Sequence, residues 1–438
     1  MRVLVIGSGA REHALVVRLT ADRDVGEVVC APGNPGIARN ARIVAIDPSN
    51  PDALLALADR EQIDFTVVGP ELPLSFGVAD RFAAAGRLLF GPSAAAARLE
   101  SSKAFAKAFM ARHAVPTARF HTAESLDDAM GIVGAGEFGW PVVLKADGLA
   151  AGKGVVIAEN RALAETAVLD AMAEHKFGSA GEKLVIEECL SGPEVSFFVL
   201  SDGERAVPIG WAQDHKRIFD DDRGPNTGGM GAFAPSPLVD ARLVDRVMRE
   251  IVEPVIAGMA QEGHPFRGFL FVGLMLTPAG PQVIEFNVRL GDPETQAMLP
   301  LIEEPLLPLL VAGATGRLRQ SAVRIGDECI VGVVLASRGY PDSAESGRVI
   351  EGIEAAERLP GVAVYHAGTS LRGGQLVTAG GRVLTVAGRG TDFAEAISRA
   401  YAGVDQISFD GMQYRRDIGR KALLGQATNH GGHVGHGD

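Results

Sequence analysis

The chain has 438 residues and a formal net charge of −12, with 47% hydrophobic and 22% charged residues. So long a chain exceeds one hydrophobic core and predicts roughly two to four domains, while the composition is that of a folded α/β protein and excludes a disordered or fibrous one. The acidic balance excludes a global basic field for a nucleic-acid backbone, so no nucleic-acid partner is expected and any phosphate must be held locally, as for a small phosphorylated ligand.

Met1-Arg2 leads straight into the apolar run Val3-Leu4-Val5-Ile6, ended by Gly7, which is too short for a signal peptide. No later run reaches the length of a membrane span, so no membrane contact is expected. Cys30, Cys189 and Cys329 are far apart and lack ligand spacing, which argues against a disulfide framework or a zinc site and for a reducing cytoplasm.

Up to residue 102, short apolar runs at 3–6, 28–30, 65–68 and 88–90 alternate with helical patterns at 53–58 and 78–85. This predicts a parallel sheet with crossover helices. Each run exits into a turn rich in glycine, proline or asparagine, at Gly7-Ser8-Gly9, Pro32-Gly33-Asn34-Pro35-Gly36, Gly69-Pro70-Glu71 and Gly91-Pro92-Ser93. Ligands bind at such carboxyl ends. The first turn fails the dinucleotide pattern, because Glu12 stands at the third glycine position and the second run ends Val29-Cys30-Ala31 without an acid. A nicotinamide cofactor is not expected. A glycine turn opening a helix, with Arg11 in its first turn, suits a single phosphate, against the plainer reading of a tight turn with a surface arginine.

An alanine-rich helical stretch over 94–114 precedes a unit with strands near 119–121, 142–145, 155–158, 184–188 and 195–200, mostly antiparallel by its short connections. Within it, Lys145-Ala146-Asp147-Gly148-Leu149-Ala150-Ala151-Gly152-Lys153-Gly154 joins two strands by a loop of small residues bracketed by lysines. Its backbone N–H groups can approach phosphate oxygens while Lys145, fixed on the preceding strand, offers a point charge. The spacing is not that of a Walker loop. The connector after residue 188 can offer adenine a backbone acceptor at Glu188 and donor at Leu190, with Glu194 for ribose hydroxyls.

Residues 213–237 read as a long polar loop carrying Gln213-Asp214-His215-Lys216-Arg217 and Gly224-Pro225-Asn226-Thr227-Gly228-Gly229-Met230-Gly231. His215 alone reads as an ordinary hydrogen-bonded histidine. A helix over 240–259 and paired strands over 268–276 and 282–288 follow. A final mixed region holds strands at 329–335 and 383–386 and a helix at 393–404. Residues 426–438, with several histidines, read as a disordered tail.

The densest chemistry lies in Val283-Ile284-Glu285-Phe286-Asn287-Val288-Arg289. On a strand, Glu285, Asn287 and Arg289 share one face while Ile284, Phe286 and Val288 occupy the core face. Two oxygen ligands at alternating positions suit a hard cation that completes its shell with water and nucleotide phosphate.

The order of these segments resembles the ATP-grasp superfamily. More closely, Ser8-Gly9-Ala10-Arg11-Glu12-His13-Ala14, Ala31-Pro32-Gly33-Asn34, Val68-Gly69-Pro70-Glu71, Ser102-Lys103-Ala104-Phe105, the 145–155 loop, the 213–217 and 224–231 segments and the signature Arg289-Leu290-Gly291-Asp292-Pro293-Glu294 resemble the phosphoribosylamine–glycine ligase family over residues 1–424. The resemblance implies an α/β, ATP-grasp fold with an N-terminal parallel-sheet (Rossmann-like) domain over 1–102 that binds phosphoribosylamine. It also implies an ATP-grasp domain over 103–325 with a mobile ATP-binding lid at 119–192, and a small mixed α/β C-terminal domain over 326–425. The reaction implied is ATP-dependent ligation of glycine to 5-phosphoribosylamine through a glycyl phosphate, in de novo purine synthesis.

In that scheme Glu285 and Asn287 hold Mg²⁺ or Mn²⁺, and Lys103, Lys145, Gly152, Lys153 and Gly154 contact the ATP phosphates. Glu187, Glu188, Leu190 and Glu194 contact adenosine, and the turns at Gly9, Arg11, Glu12, Gly33, Asn34, Gly69, Pro70 and Glu71 hold phosphoribosylamine. Asp214, Lys216, Gly228, Gly229, Met230 and Arg289 complete the substrate site. Arg289 steadies the acyl phosphate and oxyanion, and Asp292 and Asp214 grip amino groups or accept a proton. The strand Val272-Gly273-Leu274-Met275-Leu276 lacks the additional carboxylate of many ATP-grasp enzymes, which leaves a second metal site open. A cytoplasmic monomer is expected, with transient contacts to neighbouring purine-pathway enzymes. The alternatives are another ATP-grasp carboxylate–amine ligase or a non-catalytic nucleotide sensor; a sensor would be expected to have lost Lys145 or the metal ligands.

Overall fold

The N-terminal apolar runs form a five-stranded sheet in the computed structural model, which describes residues 1–148 and 154–424. Its strands are β1 (Arg2–Gly7), β2 (Glu27–Pro32), β3 (Arg42–Ile43), β4 (Phe65–Val68) and β5 (Leu89–Phe90), all parallel, in the order β3-β2-β1-β4-β5. Leu4 and Ile6 face one core cluster and Val3 and Val5 another, which is why the strands read as unbroken apolar runs. Helices α1 (Ala10–Thr20), α2 (Pro51–Arg60), α3 (Glu71–Ser75) and α4 (Val78–Ala84) lie between them, and α5 (Ala94–Ser101) follows the last. The strand order reverses between β1 and β4, and the crevice at their carboxyl ends faces the rest of the molecule.

The helical stretch over 94–114 is two helices. Ser102 adopts an extended conformation and its hydroxyl accepts from Phe105 N–H at 3.1 Å, so a new helix, α6 (Lys103–Arg112), starts there. A four-stranded antiparallel sheet follows, made of β6 (Phe120–Ala123), β7 (Val142–Ala146), β8 (Val155–Ala158) and β9 (Leu184–Glu188) in the order β6-β9-β7-β8. Helices α7 (Leu126–Ala135) and α8 (Arg161–Val168) pack on it over their own apolar cluster.

The strand expected at 195–200 belongs elsewhere. As β10 (Glu194–Asp202) it pairs along its full length inside an eight-stranded sheet, where its partners bury it on both sides. Next come β11 (Ala206–Asp214), the hairpin of β12 (Arg217–Phe219) and β13 (Arg223–Asn226), and β14 (Gly231–Ala234). Residues 213–237 are therefore not a single loop. The glycine-rich composition reads as a loop, but β14 is fully buried between β11 and a later strand, and that pairing overrides local propensity.

Helix α9 (Ala241–Val247) passes through one π turn into α10 (Glu253–Gln261) and leads to β15 (Arg267–Thr277) and β16 (Gly280–Asn287). Then come α11 (Glu294–Met298), α12 (Leu306–Ala314), β17 (Cys329–Ala336), α13 (Ile353–Glu357), β18 (Val362–His366), the hairpin of β19 (Thr369–Arg372) and β20 (Gln375–Thr378), β21 (Arg382–Gly390) and α14 (Phe393–Val404). The large sheet runs β16-β15-β10-β11-β14-β17-β21-β18, so the C-terminal strands continue the sheet that carries Glu285. No helix among the described residues is long and apolar enough to cross a membrane.

The N-terminal unit meets the C-terminal strands through buried polar contacts. His366 N–H donates to His13 Nδ1 at 2.9 Å, and the Asn34 amide donates to Ser8 O and His366 O, both at 2.8 Å. Burial lowers the pKa of His13 to about 3, helped by His366 and Arg39, and that of His366 to about 4.

Candidate active site

A cavity of about 690 Å³ lies where the carboxyl ends of β1 and β4, the β6–β9 sheet, β16 and the C-terminal strands converge. Its floor is the end of β16. Gly273 pairs with Glu285 but Leu274 pairs with Val283, so Ile284 is the extra residue of a β-bulge. The expected strict alternation is broken there: Ile284 borders the cavity, and only Phe286 and Val288 join the core cluster. The bulge also turns the Ile284 carbonyl to Lys145 Nζ, 2.9 Å away.

The Glu285 carboxylate has no hydrogen bond or ion pair among the described residues. Burial pushes its pKa up, but Lys216, Lys145, Lys103 and Arg289 outweigh that and hold it below the usual carboxylate range. Among the described residues Asn287 Oδ1 accepts only from Arg289 Nη2, at 3.1 Å. An ionised, unpartnered carboxylate beside an amide oxygen fits one hard divalent cation that keeps water ligands. Opposite Glu285 stands Gly273, where even a Cβ would lie 3.2 Å from Glu285 Cγ, so that register supplies no further carboxylate.

Arg289 is fully engaged. Its Nε donates to Glu71 at 3.2 Å, Nη2 meets Glu100 at 2.9 Å and Nη1 reaches Leu290 O at 3.2 Å. Burial opposes its charge, yet Glu100 and Glu71 outweigh burial and raise its pKa. Glu100 also accepts from Val288 N–H at 2.7 Å. These carboxylates, from α3 and the end of α5, dock the N-terminal unit onto the end of β16.

The lysines join the β6–β9 sheet to the body. Lys145 of β7 and Lys107 of α6 grip opposite oxygens of the buried Glu187 carboxylate on β9. Lys107 Nζ also donates to Thr117 Oγ1 at 2.7 Å, and that hydroxyl donates to Val283 O on β16 at 2.7 Å. Burial lowers the Lys107 pKa to about 8. Lys103 Nζ donates to Gly148 O at 2.9 Å, and Asp147 Oδ1 accepts from Ala104 N–H at 3.1 Å, pinning the segment after β7 to the start of α6. Gly154 lines the cavity, whereas Gly152 and Lys153 lie outside the described residues.

On the opposite wall, Asp214, Lys216 and Glu294 come together. Burial pushes the Asp214 pKa up to about 7; Lys216 opposes this, and Glu294, Glu194 and Glu285 add to it. Glu294 is likewise raised by burial, although Ser196 Oγ donates to it at 3.0 Å. Burial works against the Lys216 ammonium, but Asp214, Glu194 and Glu285 outweigh it and keep Lys216 charged. A carboxyl titrating near neutrality is matched to accepting a proton from an attacking amine. We therefore expect the acid limb of kcat/KM to fall as pH drops through about 7 and to disappear in Asp214→Asn, measured as pH–rate profiles of both enzymes. An unchanged limb in the variant would assign it to another group.

Of the expected site residues, the cavity brings together Arg11, Pro70, Glu71, Lys103, Lys145, Gly154, Asp214, Lys216, Gly228, Glu285, Asn287, Arg289 and Asp292. The other described ones stand behind it. Glu12 accepts from Gly9 N–H and Arg11 Nε, both at 2.6 Å, and Gly69 leaves room for its carboxylate. Asn34 is used by Ser8 O, His366 O and Ile37 N–H. Gly33 sits at φ +72° against Ile43 and Gly229 at φ +111° against Pro293, while Met230 is fully buried against Ile218 and Ala336. Glu188 accepts from Arg119 N–H at 3.0 Å and Nε at 2.9 Å, and Glu194 pairs with Lys216 at 2.6 Å. With Leu190, these residues continue along the chain beyond the cavity wall. His215 is buried with neither ring nitrogen partnered among the described residues, and it does not reach the cavity.

Glu100, Lys107, Tyr340 and Arg382 also line the site and were not expected. Lys107 lies one helical turn beyond Lys103 on α6, a spacing that could have flagged it, whereas Glu100 belongs to α5, across the break at Ser102. Tyr340 and Arg382 had no local signal. Tyr340 OH accepts from Gly228 N–H at 2.9 Å, while Arg382 Nη1 donates to Gly228 O at 2.6 Å and to Asp292 O at 2.5 Å. Asp292 also accepts from Gln296 Nε2 at 2.9 Å and Arg11 N–H at 3.3 Å.

Family models of phosphoribosylglycinamide synthetase match the chain in consecutive parts: the N domain over residues 1–100, the ATP-grasp (A) domain over 101–295 and the C domain over 330–421. The chain is 50% identical over 428 residues to phosphoribosylamine–glycine ligase of Xanthomonas axonopodis pv. citri, covering 97% of this chain and 98% of that protein. With the Vibrio cholerae protein of the same name the identity is 47% over 426 residues, covering 97% and 99%. The crystal structure of phosphoribosylamine–glycine ligase from Thermotoga maritima is similar at a TM-score of 0.83 and 34% identity, over 95% of this chain and 100% of that one. Biotin carboxylase from Campylobacter jejuni, at a TM-score of 0.71 and 17% identity over 98% and 95% of the two chains, is alike in fold.

Proposed function

The chain belongs to the phosphoribosylglycinamide synthetase family, and from that premise we propose how its residues divide the work. It has the ATP-grasp fold and is an ATP-dependent carbon–nitrogen ligase of purine biosynthesis. Glycine and 5-phosphoribosylamine are joined at the expense of ATP to give glycinamide ribonucleotide, ADP and phosphate. A glycine carboxylate is a poor electrophile because its leaving group would be oxide. Phosphoryl transfer makes it an acyl phosphate, and the ribosylamine nitrogen then attacks that carbonyl.

The observation that carries the assignment of roles is the unpartnered Glu285 carboxylate beside Asn287, in one cavity with Lys145, Lys103 and the buried Asp214. Glu285 and Asn287 would hold a divalent cation, magnesium or manganese, which supplies charge neutralisation at the phosphates. Lys145 and Lys103 place fixed positive charge on the same phosphates. Adenosine lies along the connector at Glu188 and Leu190, with Glu194 toward the ribose. Phosphoribosylamine enters from the N-terminal crevice at Arg11, Pro70 and Glu71. Asp214 accepts the proton released by the attacking amine. Arg289, held by Glu71, Glu100 and Asn287, is a fixed positive wall for the oxyanion.

The protein works as a cytoplasmic monomer, with any contact to neighbouring purine-pathway enzymes transient. Its functional divisions are 1–102, 103–325 with a lid at 119–192, and 326–425. The test is ADP release with glycine and freshly made phosphoribosylamine, each omitted in turn. Release must require both, and turnover with either one absent would overturn the reading.

A further inference from the structure

The cavity's cations differ in how much hydrogen-bonding capacity they have left. Arg289 uses all three of its nitrogens on Glu71, Glu100, Asn287 and Leu290. Arg11 gives Nε to Glu12 and Nη1 to Leu290 O. Lys145 is taken by Glu187 and Ile284 O, and Lys216 by Glu194.

Arg382 is different. It lies at the first position of β21, and its neighbours take only Nη1, through Gly228 O, Asp292 O and Asp292 Oδ1 at 3.3 Å. Neither Nε nor Nη2 has a hydrogen bond among the described residues. The side chain keeps 24% of its surface open and lines the cavity. Nε–H and Nη2–H are the parallel pair of the guanidinium edge, the geometry that takes both oxygens of a carboxylate or phosphate at once. The Nη1 bonds fix that edge from behind, because Gly228 is also pinned through its N–H by Tyr340.

Building on the ligase reading, we propose that Arg382, supplied by the C-terminal strands, is a specificity-determining contact whose Nε–Nη2 edge receives a substrate oxyanion, either the glycine carboxylate or the ribosyl phosphate. The C-terminal region is then part of substrate recognition. It also closes the substrate site from the side opposite the metal strand, with Asp292 between them as the compensating charge.

The test uses Arg382→Gln and Arg382→Lys in the full chain, with steady-state KM for glycine and for phosphoribosylamine. It adds titration with glycinamide ribonucleotide, which keeps the phosphate but has no free carboxylate, and with an ATP analogue. Arg382→Gln should raise one KM on the order of 10- to 100-fold while ATP-analogue affinity stays put. If the oxyanion is the carboxylate, the glycine KM rises and product affinity holds. If it is the phosphate, the phosphoribosylamine KM rises and product affinity falls. Arg382→Lys keeps the charge and can reach Gly228 O, but it lacks the planar edge and should restore only part of the loss. Full restoration by lysine reduces Arg382 to a tether for Gly228 and overturns the proposal, as do glycine and phosphoribosylamine KM values that both stay within about twofold in Arg382→Gln. Wild-type enzyme that fails to release ADP with both substrates present would instead overturn the ligase reading, independently of Arg382.

Discussion

Glu285→Ala is expected to lower kcat on the order of 10²- to 10³-fold, about 3 to 4 kcal/mol of transition-state stabilisation, with a smaller change in KM for ATP. The carboxylate is ionised, has no partner among the described residues to compensate its loss, and faces Lys145 and Lys103 across the cavity. Charge builds on the phosphoryl oxygens as they move, so a group that holds or balances that charge contributes most in the transition state. Lys145→Ala should have a similar effect for the complementary reason. Its ammonium is positioned by Glu187 and Ile284 O, so its loss also leaves the Glu187 carboxylate with Lys107 alone. The measurement is steady-state ADP release across ATP concentrations. A raised KM with unchanged kcat would make both residues ground-state binders.

The second large effect is on stability. Burial depresses the pKa of His13 and His215 to about 3 and of His366 to about 4, against an ordinary value of 6.5. For a histidine with a lowered folded-state pKa, the unfolded chain takes up the proton first. Stability is then complete above the ordinary value and is lost as pH falls below it toward the folded pKa. Each such histidine should remove about 1.4 kcal/mol per pH unit once well below 6.5, or about 3 kcal/mol by pH 4. Asp214 acts in the opposite sense, since its raised pKa stabilises the fold as pH falls from about 7 toward its ordinary 3.8. Glu294 and Glu100 act as Asp214 does, but the histidines are joined by Glu71, Glu285, Asp292 and Asp417, whose lowered carboxylate pKa values also cost stability as pH falls. Urea unfolding between pH 7.5 and 4 should therefore show falling stability, with a shallower slope in His366→Gln by about 1.4 kcal/mol per pH unit. Identical slopes in variant and wild type would show that His366 is not buried neutral at the interface with His13.

What was legible in the sequence depended on how local its cause was. Glu285 and Asn287 were found because strand alternation is a property of adjacent residues, and Lys145 because a small-residue loop follows it directly. The same rule misplaced Ile284, since a bulge depends on the partner strand and leaves no mark on its own strand. Residues 213–237 read as a loop because their glycines disfavour strands, yet Gly231–Ala234 is held between β11 and β17, strands whose register no single segment encodes. Glu12 looked like a substrate contact on the strength of its turn. It turns inward because Gly7 and Gly69 leave space that any side chain would fill. Arg382 and Tyr340 were invisible for the opposite reason: each stands alone in its stretch of sequence and acquires meaning only when the sheet brings it to Gly228.

The pairing of β14 with β17 also bears on how the chain can be divided. A fragment ending near residue 325 would expose the edge of Gly231–Ala234, with Phe233 stripped of its cover from Phe393 and the surrounding cluster. Such an edge is a template for pairing with any passing strand, so the fragment should aggregate rather than behave as an independent module. Supplied in trans, the polypeptide beginning at β17 could zip onto the same edge and rebuild the enzyme from two pieces, which makes the seam between the halves a natural place to split the protein for complementation.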